Sequence, residues 1–143
     1  MEIPNEIEIG ISIKKGSILY FDISYGVHNF IVLNNDPSND SVLFLLCATS
    51  LDFKAMKMVE NSGLPKDTWV SVTPEKCKFF KNITLFNCNV VERITKEELL
   101  DKMEKKELKI KTGTISEELI AELCNGVSKS PVVEKWILNQ LKL

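Results

Sequence analysis

One imidazole and two adjacent alcohols are the residues of this chain whose types and spacing suit chemistry: His28, Thr49 and Ser50. His28 is the only histidine of 143 residues, so a multi-histidine metal centre is excluded. An imidazole exchanges a proton near neutral pH, which hydrolysis and transphosphorylation both require. Hydroxyls donate to developing oxyanions, and an ammonium adds positive charge beside them. Lys54 and Lys57 follow Thr49 and Ser50 closely enough to supply that charge. Cleavage of RNA through its own 2′-hydroxyl needs a base for that hydroxyl, an acid for the leaving 5′-oxygen and donors to the phosphate. His28, Thr49, Ser50 and a lysine form a minimal set, with no metal and no cofactor required.

Simpler roles compete for each of these residues. A histidine at a strand edge packs or solvates, a Thr-Ser pair after a strand caps a helix, and two lysines line a wet helix face. Asp22 reads as a turn acceptor before it reads as a catalytic acid. Tyr20, Tyr25, Trp69, Phe79 and Phe80 are candidate groove aromatics, or else core residues. The four cysteines, Cys47, Cys77, Cys88 and Cys124, contain no C-x-x-C pair and lie far from a close set of zinc ligands. They read as buried free thiols. No phosphate-loop, dinucleotide or serine-hydrolase motif is present.

The elements that must position the site follow from pattern. Ser17–Ile23, His28–Leu33 and Ser41–Ala48 are rich in β-branched, aromatic and aliphatic residues and are separated by turn formers. They read as a three-strand meander. In it the start of the second strand and the end of the third share one end of the sheet, which brings His28 towards Thr49 and Ser50. Residues 51–64 hold a short helical stripe that Gly63 would stop. Trp69–Val72 reads as a fourth strand, and Ile83–Val91 as a fifth that carries a bulge.

The last third is helical in pattern. Thr95 and Glu98 form a capping box, Ser116 opens a helix that Asn125-Gly126 would close, and Ser130-Pro131 opens another. Val132, Val133, Trp136, Ile137 and Leu141 would be the buried face of that last helix. Leu108–Lys111 alternates with period two, as an extended link does. Strands followed by helices, without alternation, predict an α+β fold in one unit spanning 1–143. Residues 1–93 would form a small antiparallel barrel and 94–143 a helical cap.

Composition narrows the partners. Eighteen cations against twenty acids give a net charge of −2, and Arg93 is the one arginine, so a broad arginine-based phosphate surface is excluded. Positive charge is concentrated in residues 52–91, where six lysines meet four acids. The longest apolar run, Val42–Ala48, is far too short to span a bilayer, and Glu2, Glu6 and Glu8 precede any base. A cytoplasmic protein without a membrane partner is expected.

Residues 15–22, 26–34 and 46–50 resemble the opening of the MazF/PemK-like toxins, whose strands begin with R-G-D-I-V, continue with R-P-V-V-V-L and end in P-x-T-S. The resemblance covers about a quarter of the chain directly. It implies a Src-homology-3-like barrel and metal-independent cleavage of single-stranded RNA by a homodimer that an antitoxin protein blocks. Thr49 and Ser50 fall on the pair that positions the scissile phosphate. His28 falls where the family has its catalytic arginine, Ser17 replaces its acidic residue and Asn29 its proline. A divergent endoribonuclease is the first expectation. A non-catalytic barrel that binds a protein or peptide is the second.

Overall fold

A computed structural model describes residues 13–23 and 26–143. Glu2, Glu6, Glu8 and Tyr25 lie outside the described residues. The strands are β1 (Ser17–Asp22), β2 (Val27–Val32), β3 (Val42–Ser50), β4 (Trp69–Val72), β5 (Thr84–Asn87), β6 (Glu92–Thr95) and β7 (Leu108–Thr114). The helices are α1 (Phe53–Ser62), α2 (Lys96–Glu104), α3 (Glu117–Lys129) and α4 (Lys135–Leu141), with a 3-10 turn at Lys66–Thr68. The sheet runs β4-β5-β3-β2-β1-β7, antiparallel throughout, and β6 pairs with the first half of β3. The fold is α+β, as the pattern of strands and then helices predicts.

The centre of the sheet is β3, and its near-continuous apolar run has a direct cause. Alternate residues of a strand face opposite sides, and here both sides are covered. Leu43 and Leu45 join Leu19, Phe21, Phe30, Val32 and Leu99 in one core. Phe44, Leu46 and Ala48 join Ile18, Ile31, Phe86, Leu119, Leu123 and Leu141 in the other. The sheet is therefore a layer between α2 on one side and α3 with α4 on the other. Among the described residues the sheet does not close: β4, β6 and β7 each pair on one side only.

The fifth strand is divided. Ala48 pairs with Phe86, whereas Leu45 pairs with Glu92, so three extra residues bulge out between β5 and β6. A buried polar network pins the bulge: Asn89 Nδ2 donates to Thr68 Oγ1 at 2.8 Å, and Ser130 Oγ donates to Asn89 Oδ1 at 2.7 Å.

Several local signals are realised. Thr95 and Glu98 make the capping box of α2, Ser116 caps α3 through the Leu119 amide, and Gly63 ends α1 at φ 70. Gly126 is a correction. It does not close α3, which continues to Lys129; a Cβ there would lie 2.7 Å from Cys88 Sγ, so the glycine is a point of close packing. Ser130-Pro131 does not begin the last helix either. Ser130 Oγ accepts from the Val132 and Val133 amides in a turn, and α4 starts at Lys135. Val132 and Trp136 are consequently exposed, while Ile137 and Leu141 are buried.

Candidate functional site

The end of the sheet where β2 begins and β3 finishes carries two clefts, one on each face. The register pairs Asn29 with Ala48, and one further step sets His28 opposite Thr49. Alternation then sorts the side chains. His28, Cys47 and Thr49 stand on the face of Phe30 and Leu45, and Asn29, Ala48 and Ser50 on the face of Ile31 and Leu46.

The first cleft has a volume of about 420 Å³, and its lining includes His28, Thr49, Lys54, Trp69 and Glu92. It is framed by the N-terminal half of α1, the end of β3, the first residue of β4 and the bulge between β5 and β6. The structure thus brings three of the sequence-derived candidates, His28, Thr49 and Lys54, to one cavity. Ser50 lines the second cleft, on the opposite face. Lys57 stands apart from both: its ammonium pairs with Glu60 at 3.5 Å and lies 5.5 Å from the centre of the Phe53 ring. That pair is exposed and contributes little to stability.

The helix-cap alternative for the alcohols is not what occurs. Asp52 caps α1, its carboxylate accepting from the Ala55 amide at 2.8 Å, which leaves Thr49 and Ser50 on the strand. Thr49 Oγ1 lies 3.8 Å from the Cys47 thiol. Burial pushes the Cys47 pKa up, the Thr49 hydroxyl opposes that shift, and the Glu92 carboxylate adds to it. Cys47 is therefore a neutral thiol at physiological pH and not a nucleophile. His28 packs edge-on against Phe30, with ring centres 6.4 Å apart, which orients the imidazole. Asp22 accepts from the Gly26 amide across the β1–β2 turn, the structural role expected of it.

Two members of this cleft escape sequence reasoning. Glu92 faces it because the bulge shifts the register of β6, and nothing local announces a three-residue bulge. Cys47 is hidden inside an apolar run. Trp69, one of the candidate groove aromatics, lines the cleft, and its indole N–H is buried without an acceptor among the described residues, where a ligand oxygen could meet it. Chemically the cleft offers a proton acceptor, a hydroxyl, an ammonium and a carboxylate. No cluster of three or more potential metal ligands occurs among the described residues, and none of their helices is long and apolar enough to cross a membrane.

No protein-family model matches the chain, and no curated protein matches it by sequence. Solved structures do. A mycobacterial endoribonuclease, solved in complex with its cognate antitoxin, superimposes with a TM-score of 0.53 over 81% of this chain and 91% of its own, at 12% identity. A second mycobacterial endoribonuclease aligns over 92% and 93% at 12% identity with a TM-score of 0.48. The likeness of fold rests on the first. It agrees with the fold that the resemblance to the MazF/PemK-like toxins implies.

Proposed function

We propose that this chain is a divergent toxin-type endoribonuclease that cleaves single-stranded RNA without a metal ion, at the cleft containing His28. The observation that carries the proposal is the gathering of His28, Thr49 and Lys54 in one cavity on a fold shared with an endoribonuclease. The chemistry follows from the groups present. The His28 imidazole takes the proton of a ribose 2′-hydroxyl, whose oxygen attacks the adjacent phosphorus. The bond to the 5′-oxygen breaks, the products are a 2′,3′-cyclic phosphate and a 5′-hydroxyl, and the leaving oxygen takes its proton from solvent at the open rim. Thr49 Oγ1 and Lys54 Nζ donate to the non-bridging oxygens as charge builds on them. Lys57, paired with Glu60 and apart from both clefts, takes no part, and Ser50 serves the substrate from the opposite face of the sheet. Glu92 lines the same cleft, and Phe30 holds the imidazole edge-on. A histidine in place of an arginine trades the planar fork for acid–base capability.

A protein partner is the second part of the proposal. Helix α1 buries only Ala55 and leaves Phe53 75% exposed, with Met56 and Met58 also in solvent. Apolar surface of this kind beside a functional cleft marks an interaction site. An antitoxin that covers α1 would also close the His28 cleft. As in the family it resembles, the chain would act as a homodimer.

The test is cleavage of a mixed-sequence RNA in EDTA, together with growth arrest on expression. His28→Ala is expected to lower cleavage by at least 100-fold, and Thr49→Ala by about tenfold, with unchanged melting temperatures. Parent protein that leaves RNA intact and cells growing would establish the non-catalytic, protein-binding alternative instead.

A further inference from the structure

The second cleft, on the face of the sheet opposite His28, has no part in the chemistry above except through Ser50. Its volume is about 260 Å³, and Asn29, Ser50, Phe79, Lys81 and Asn82 are among the residues that line it. Its composition differs from that of the first cleft. Among the described residues no acidic side chain lines it, whereas Asp52 and Glu92 line the His28 cleft.

Three observations there point to one ligand chemistry. Asn29 Oδ1 is buried and has no donor among the described residues. A buried acceptor without a partner is destabilising, and a ligand N–H would satisfy it. Phe79 stands at the mouth, 37% exposed, held edge-on by Phe80 with ring centres 5.2 Å apart, so a flat face is available at fixed orientation. Lys81 lines the cleft, and the edge strand β7, beyond β1, carries two more lysines. Tyr20 is directly opposite Asn29 on one side and Lys109 on the other, and the Lys111 ammonium lies 4.7 Å from the centre of the Tyr20 ring. An aromatic platform, an amide edge and lysines at the rim are the features by which proteins hold unpaired bases.

We infer that this second cleft is a nucleobase pocket, which takes one unpaired base of the RNA strand whose phosphate lies in the His28 cleft. The base stacks on Phe79 and presents a donor to Asn29 Oδ1, while Lys81 and Lys111 meet the neighbouring phosphates. Thr49 lines both clefts, so the strand passes over the ends of β2 and β3, with catalysis on one face and base selection on the other. The inference rests on RNA being the ligand of the His28 cleft, and its test separates the two.

Fluorescein-labelled hexauridylate and hexaadenylate are titrated into the His28→Ala protein in EDTA, so that the probes stay intact. Adding Phe79→Ala should weaken binding of both about tenfold, and Phe79→Tyr should restore it, because stacking needs only the ring. Adding Asn29→Ala should change the ratio of the two affinities by threefold or more. Circular dichroism and melting temperature report whether each variant is folded. If folded Phe79→Ala and Asn29→Ala proteins bind both probes as their parent does, the pocket is overturned, whatever the cleavage assay gives. If they lose binding while the parent protein cleaves no RNA, the pocket stands and the ribonuclease reading falls. A protein partner that masks Phe79 with no RNA affinity at all would also overturn it.

Discussion

The thiols show how environment decides whether a residue can react. Cys47 lines the His28 cleft, yet burial first and Glu92 in addition hold it protonated, so the thiol is no nucleophile there. Cys88 is further from water. Burial, reinforced by the neighbouring Cys124, pushes its pKa from 9.0 up to about 12. The folded state therefore keeps its proton where the unfolded chain loses it. The sign follows from linkage: this contribution to stability is fully present below pH 9, declines from there and is lost by about pH 12. The slope is about 1.4 kcal/mol per pH unit within that window, for a total near 4 kcal/mol. Urea denaturation at several pH values checks it. Cys88→Ala, compared with the parent, should flatten the alkaline limb while lowering stability slightly at neutral pH. Parallel alkaline limbs in the two proteins would show that Cys88 does not titrate in this range.

At the scale of elements, the packing of α3 against the bulge gives a sharper prediction. A Cβ on Gly126 would fall 2.7 Å from Cys88 Sγ and 3.1 Å from its Cβ. An alanine there raises helix propensity by about 1 kcal/mol but overpacks a closed contact, which costs about 1–3 kcal/mol. Gly126→Ala should therefore destabilise the protein by about 1 kcal/mol net. In the Cys88→Ala background, where the 2.7 Å contact with Sγ is gone and only the 3.1 Å contact with the Cβ remains, the same change should cost less. A double-mutant cycle in denaturant measures the coupling, and additive effects would refute the contact. The same glycine shows where sequence patterns stop being readable. Asn125-Gly126 has the composition of a helix end, and only the approach of Cys88, 38 positions earlier, reveals its other use. Ser130-Pro131 likewise matches a helix start, but Ser130 is taken by the turn and by Asn89. Signals complete within one turn were legible, as with Thr95 and Glu98 or Gly63. So were the meander and the convergence of its ends, because alternation and strand direction are local rules. Which face each side chain takes was legible in principle too, since Thr49 and Ser50 are adjacent on a strand and must diverge. The place of Glu92 was not, because it depends on a bulge and on pairing between distant segments.

For the whole molecule, the charge distribution constrains how RNA would be held under the proposed function. A net charge of −2 with a single arginine gives no general attraction to a polyanion, so the proposed affinity would have to come from a few lysines placed on the two faces. Lys54 lines the His28 cleft, Lys81 lines the cleft of Asn29, and Lys109 and Lys111 flank Tyr20. Four such contacts set an upper bound on the salt dependence, because each neutralised phosphate of a single strand contributes about −0.7 to the slope of log K against log salt. The hexanucleotide titrations, repeated from 50 to 300 mM salt, should give a slope between about −2 and −3. Lys54→Gln and Lys81→Gln should each make it shallower by about 0.7, and the two together by about 1.4, since the lysines act on separate phosphates. Lys105→Gln, whose ammonium pairs with Asp101 at 3.0 Å on α2, should leave it unchanged. A slope steeper than about −5 would mean a far more extensive basic surface than this chain possesses. A slope lowered by only one of the two substitutions would confine the strand to one face of the sheet, so joint dependence on both lysines distinguishes a path over the sheet end from binding in either cleft alone.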